Sequence, residues 1–188
     1  MDALLTALLG CLLGEMGDRS QWLILALAAR YRRDGLVLAG VATAAACNAA
    51  LSATAGAFLA PMLAANARLL FLALSVLFLG AGMMFRVKRP DTLDRWPLGP
   101  FLTSALGLFI LGFGDGPQFL VLGIVTRTGD PVMAAIGGAI GVTLAAVPVV
   151  LLREAFYRHR ALPVVRLAGG VLLLAIGALL ALSALEIL

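Results

Sequence analysis

Histidine occurs once in the 188 residues and cysteine twice, and only 13% of the chain is charged. Each scarcity excludes something. There is no His-Glu-x-x-His, no buried histidine to act as a base, and no such partner for Ser20, so an enzyme is not expected. The lone His159 falls in a basic loop and reads as solvated rather than as a ligand. No phosphate-cradling loop or nucleotide fingerprint appears, which argues against ATP-driven pumping. Cys11 and Cys47 both sit in apolar runs and read as small buried residues, not as a disulfide or metal pair. They leave the redox compartment unreadable. A basic region ahead of the first apolar run is also missing, since the first charge is Asp2, and a cleaved signal peptide is therefore not expected. Charge is too sparse for a soluble domain, where about a quarter of residues carry it.

What the chain does have is apolar length. It is 62% hydrophobic with a mean hydropathy of +1.06, and its apolar runs reach the roughly 20 residues that cross a bilayer. Hydropathy and charge punctuation divide it into segments at 3–29, 36–63, 68–86, 99–126, 132–152 and 164–187. The expected fold is all-α: a polytopic membrane protein of six transmembrane helices, held in the lipid bilayer. The break "RVKRPDTLDRWPLG" at 86–99 is charged, carries two prolines and reads as a central loop. A pI near 9.8 suggests a nucleic-acid binder. In this composition the basic residues instead sit in loops and fix orientation, so no nucleic acid is expected as a partner.

Eleven of the 14 Lys and Arg fall on one side: Arg30, Arg32, Arg33, Arg86, Lys88, Arg89, Arg95, Arg153, Arg158, Arg160 and Arg166. The positive-inside rule makes that side cytoplasmic and places both termini on the opposite, non-cytoplasmic side.

Shifting the chain by 97 residues lays "GDRSQWLILALAAR" over "GDGPQFLVLGIVTR". Gly10 falls on Gly107, Gly17 on Gly114, Asp18 on Asp115, Gln21 on Gln118, Arg30 on Arg127 and Gly80 on Gly177. This points to a duplication: a first repeat at 1–86, a cytoplasmic central loop at 87–98 and a second repeat at 99–188. Three spans per half is an odd number, so the second half enters from the opposite side. The result is an inverted 3+3 repeat, common in secondary transporters that bind substrate near the midplane.

Mid-span charges carry the functional signal. One charge at the bilayer centre costs roughly 2.5–3.5 kcal/mol, so Glu15, Asp18, Arg19 and Asp115 together cost on the order of 10 kcal/mol unless paired. Three acids against one arginine leave a negative excess that a cation would balance. At 3.6 residues per turn Glu15 and Asp18, three apart, share a face, and Asp115 and Gln118 have the same spacing in the fourth span. The candidate ligands are Glu15, Asp18, Ser20, Gln21, Asp115 and Gln118, all oxygen donors, which suit hard cations such as Ca²⁺, Mn²⁺ or Mg²⁺. A carboxylate in such a place can also take up a proton when the metal leaves, so metal–proton exchange is the expected activity. Pro117 lacks an N–H for the Phe113 carbonyl, so the fourth span is expected to kink there. Gly137 and Gly141, and the alanine-rich second span, read as close helix packing. Asn48 and Thr43 read as interhelical hydrogen bonders.

"EMGDRSQ" resembles the signature Glu-x-Gly-Asp-Lys/Arg-Ser/Thr, usually followed by Gln, of the cation/proton exchanger family of human transmembrane protein 165 and its yeast and bacterial relatives. Glu15, Gly17, Asp18, Arg19, Ser20 and Gln21 meet every position. The resemblance implies two such motifs, one in each inverted half, and exchange of Mn²⁺ or Ca²⁺ for protons. It also implies the bacterial inner membrane as location and no resident cofactor. The second motif, "GFGDGPQ", keeps Gly114, Asp115 and Gln118 but has Gly112 for the acid, Gly116 for the base and Pro117 for the hydroxyl residue. Two other readings stay open: a non-transporting membrane scaffold, and a small-metabolite exporter on a related six-helix plan. Oligomeric state, including a homodimer, is left open.

Overall fold

The structure, a computed structural model, describes residues 1–153, 155–156 and 161–187. Arg158, His159 and Arg160 lie outside the described residues. Those described form helices α1 (Asp2–Gly14), α2 (Arg19–Tyr31), α3 (Asp34–Leu59), α4 (Ala65–Met84), α5 (Gly99–Gly112), α6 (Gly116–Thr128), α7 (Pro131–Leu152) and α8 (Ala161–Ala184), with a short 3₁₀ turn at Ala60–Met62 and no strands. The segment between α4 and α5 has no regular helix, as its prolines and charges dictate. It is tied down by Arg30, whose guanidinium donates to the Leu93 and Trp96 carbonyls.

Among the described residues, four helices are long and apolar enough to cross a membrane: α3 with its 3₁₀ turn, α4, α7 and α8. A fifth span arises if α5 and α6, bent by 67° at their break, count as one. The first expected span differs. It is split at residues 15–18 into α1, only 13 residues long, and α2, so Glu15 and Asp18 share no continuous helical face. A 13-residue helix is about 20 Å long, short of the roughly 30 Å hydrocarbon core. The bunching of Glu15, Asp18 and Arg19 at the break keeps the pair from reading as one apolar span.

Packing uses small residues where backbones meet. A Cβ added to Gly40 on α3 would lie 2.7 Å from the Phe101 carbonyl oxygen and 2.6 Å from Ser104 Cβ on α5. One added to Gly137 on α7 would run into the Leu4 carbonyl of α1, and one on Gly141 into that of Leu8. Gly40 and Gly137 are 97 residues apart, and so are Leu4 and Phe101: the same contact is made twice. α4 pairs with α8, and α6 lies against α3 and α4. Ala44, Ala45, Ala49 and Ala53 bury the inner face of α3. Of the two cysteines, which are not bonded to each other, Cys11 is buried as expected, whereas Cys47 is exposed on α3. Long apolar side chains such as Leu74, Ile110 and Leu179 face outward, as they do where lipid is the solvent.

Candidate functional site

Both motifs sit at helix breaks, and the two breaks are built alike. α1 ends at Gly14 and α2 starts at Arg19; α5 ends at Gly112 and α6 starts at Gly116. Gly17 has φ +73° and Gly114 φ +74°, a left-handed conformation that residues with a Cβ rarely adopt. Asp18 and Asp115 then stand at the N-cap positions of α2 and α6. The following glutamine locks each turn: Gly17 N–H donates to Gln21 Oε1 at 2.9 Å, and Gly114 N–H to Gln118 Oε1 at 2.7 Å. Pro117 occupies the first turn of α6, where its missing N–H costs no helical bond. The kink expected from Pro117 is thus present. The break in the first half was not expected, because no proline marks it.

The expected site residues do not all share one cavity. Glu15, Ser20, Asp115 and Gln118 line a cavity of ≈ 50 Å³ between α1, α2, α3, α5, α6 and α7. That is room for a bare ion or a few waters. Glu15 is buried and accepts a hydrogen bond from the Ser20 hydroxyl. Asp18 borders a neighbouring cavity of ≈ 130 Å³, and Asp115 lines both. Asp18, Asp115 and Arg19 all lie within electrostatic range of Glu15. Gln21, fully buried, has both ends of its amide occupied, with Nε2 donating to the Ala145 carbonyl at 2.9 Å. Among the described residues, no three His, Cys, Asp or Glu side chains converge as a ready-made metal cage.

Two of the three acids are paired with arginines. Arg19 reaches across to Asp115, with Nη2 3.4 Å from Oδ2. Arg166 of α8 reaches Asp18, with Nη1 3.6 Å from Oδ1. The sequence had placed Arg166 with the cytoplasmic loop residues; the fold brings it against the first motif. Its guanidinium also donates to the carbonyls of Met83 at 2.8 Å and Gly82 at 3.0 Å, near the C-terminus of α4. The helix end has unpaired acceptors there, and the guanidinium has five donors. No local sequence pattern signals this pairing. The acids therefore number three against two basic groups, not one.

Further polar groups complete the lining of the first cavity. Asn48 of α3 lines it, donates from Nδ2 to the Phe109 carbonyl at 3.3 Å, and leaves Oδ1 buried with no partner among the described residues. Gln118 Nε2 is likewise buried and unpartnered. The Cys11 thiol reaches the Pro117 carbonyl at 3.8 Å, linking α1 to the second break.

Residues 3–91, which contain the complete motif, match the family described as divalent cation/proton antiporter GDT1. A protein of Vibrio cholerae named "Putative manganese exporter" is 31% identical over 157 residues, covering 81% of this chain and 76% of the relative. No solved structure matches the chain. The chain thus belongs to the divalent cation/proton antiporter GDT1 family, and is an integral membrane transporter of divalent cations rather than an enzyme.

Proposed function

We propose that this chain exchanges a divalent cation, Mn²⁺ first and Ca²⁺ second, for protons at an acidic site near the midplane of the bacterial inner membrane. In this reading α1–α2 and α5–α6 each count as one broken span. Residues 1–86 and 99–188 are then inverted three-helix halves, joined by a cytoplasmic loop at 87–98, with both termini on the other side. Contacts that recur 97 residues apart support the two halves, and the one-sided Lys and Arg support the orientation.

One observation carries the proposal: two helices break with the same backbone, and the breaks set Glu15 and Asp115 on one ion-sized cavity and Asp18 and Asp115 on the next. Broken helices near the midplane are where secondary transporters hold ions. The carboxylates and the Ser20 hydroxyl are hard ligands of the kind Mn²⁺ and Ca²⁺ take. Gln21 and Gln118 contribute through Oε1, which retains a lone pair beside the one given to its glycine N–H. A pocket for a metabolite runs to roughly 300–1,000 Å³, so the narrow cavity favours an ion over an exported metabolite. The manganese preference rests on the name of the relative.

The test is purified protein in liposomes with a Mn²⁺-sensitive dye inside and an imposed pH gradient. Mn²⁺ flux should rise with the gradient and fall to background in Asp18→Asn. Flux indifferent to the gradient would end the exchange reading. An Asp18→Asn variant as fast as wild type would end the site.

A further inference from the structure

The 97-residue register pairs Glu15 with Gly112 and Arg19 with Gly116, so the second break lacks both an acid and a base that the first one has. The fold does not leave those places vacant. A Cβ built on Gly112 would lie 2.7 Å from Asn48 Nδ2, so the Asn48 amide occupies the ground where a side chain at 112 would begin. The Phe109 carbonyl can only accept, which fixes Nδ2 toward it and turns Oδ1 away from it, on a side chain that lines the cavity shared with Glu15 and Asp115. A buried amide oxygen with no donor is uncommon and calls for an ion, a water or another explanation.

The missing base is treated the same way. Arg19 crosses to the aspartate of the other half, Asp115, at 3.4 Å. By the same register Asp18 should receive its base from position 116. That residue is glycine, and Leu79 Cδ1 fills the space 2.5 Å from where its Cβ would be. Arg166 arrives instead from α8, 3.6 Å from Asp18 and anchored on the Met83 and Gly82 carbonyls.

We propose that Asn48 and Arg166 rebuild the second half of the site in space: Asn48 Oδ1 is a ligand to the transported cation, and Arg166 is the positioning counter-ion of Asp18 while no cation is bound. The inference rests on the transport reading above and extends its site to two helices outside the motifs. An amide oxygen is a usual ligand for hard divalent ions. Arginine suits the second role because its planar fork serves Asp18 and the α4 carbonyls at once, which a lysine point charge does not.

The test measures KM and Vmax for Mn²⁺ in proteoliposomes, normalised to folded protein by size exclusion. Asn48→Ala should raise KM by about tenfold with little change in Vmax, and Gly112→Glu added to it should bring KM back. Asn48→Leu, nearly isosteric, gives the same answer if the alanine variant folds poorly. Arg166→Ala should lower KM and Vmax together by at least about fivefold, as the cation binds an unpaired Asp18 and leaves slowly. Gly116→Arg with Leu79→Ala should reverse that. Arg166→Gln keeps donors for the α4 carbonyls and loses the charge, so it should behave like the alanine variant. A purely structural role would reduce folded protein and leave KM alone. Folded variants at either position with KM within about twofold of wild type overturn that residue's role, as does a rescue variant that fails while folded. If wild type moves neither Mn²⁺ nor Ca²⁺, the transport reading itself has failed and this inference falls with it.

Discussion

Adding one methyl group at Gly40 tests the packing on which the site rests. Ordinary contact starts at 3.4 Å, and the new Cβ would sit 2.7 Å from the Phe101 carbonyl and 2.6 Å from Ser104 Cβ. Neither neighbour can swing aside, because one is backbone and the other a Cβ. α3 and α5 must therefore separate by about 0.7–0.8 Å, or the helices must distort, in an interior that compresses little. Overpacking of this kind costs roughly 1–3 kcal/mol. Gly137→Ala repeats the insult at α1–α7, and the two sites are separate enough that the double variant should lose about the sum of the two. Gly35→Ala is the control: it lies in the same helix with nothing within 4 Å, and should be neutral or slightly stabilising. Thermal denaturation of detergent-purified protein reads all four. Gly40→Ala melting with wild type, or Gly35→Ala losing as much, would refute the contact and the close approach inferred from it.

The remaining predictions follow from the breaks and the surface. Gly114→Ala meets no neighbour but forces φ +74° on a residue with a Cβ, so it should lose roughly 1–2 kcal/mol of stability by strain alone; an unchanged melting midpoint would contradict that backbone. Gln21→Leu keeps the volume but strips the Gly17 N–H of its acceptor and the Ala145 carbonyl of a donor. It should cost roughly 1–3 kcal/mol and lower transport. Arg153→Ala removes a 3.1 Å pair with Asp34 that is open to solvent on both sides, and its melting midpoint should move by no more than about 1 kcal/mol equivalent.

Much of the architecture was legible in the residues. Apolar run length gave the all-helical membrane protein, and Pro117 with its glycines marked the break between α5 and α6. The 97-residue register, visible in shared Gly, Asp, Gln and Arg, returns in the Gly40–Phe101 and Gly137–Leu4 contacts. The first break was hidden. Nothing in "GEMGD" forbids a helix, and the turn is made by Gly17 with a side-chain lock from Gln21, a pairing periodicity does not encode. Reading Glu15 and Asp18 as one helical face was therefore the error. Arg166 was hidden more deeply, since an ion pair across 148 residues has no local signature. Asn48 was read as an interhelical hydrogen bonder, and it is one, through Nδ2 to Phe109; its unoccupied oxygen becomes apparent only when the cavity is seen.

Asp18 and Asp115 each stand at the start of a helix, and a helix start carries roughly half a unit of positive charge. Together with two guanidinium groups, that brings the three acids near electroneutrality before any cargo arrives. A doubly charged ion cannot simply settle there. In the exchange proposed above, an entering ion would displace a positive charge and its release would need that charge back, so coupling would follow from the wiring rather than from any separate gate.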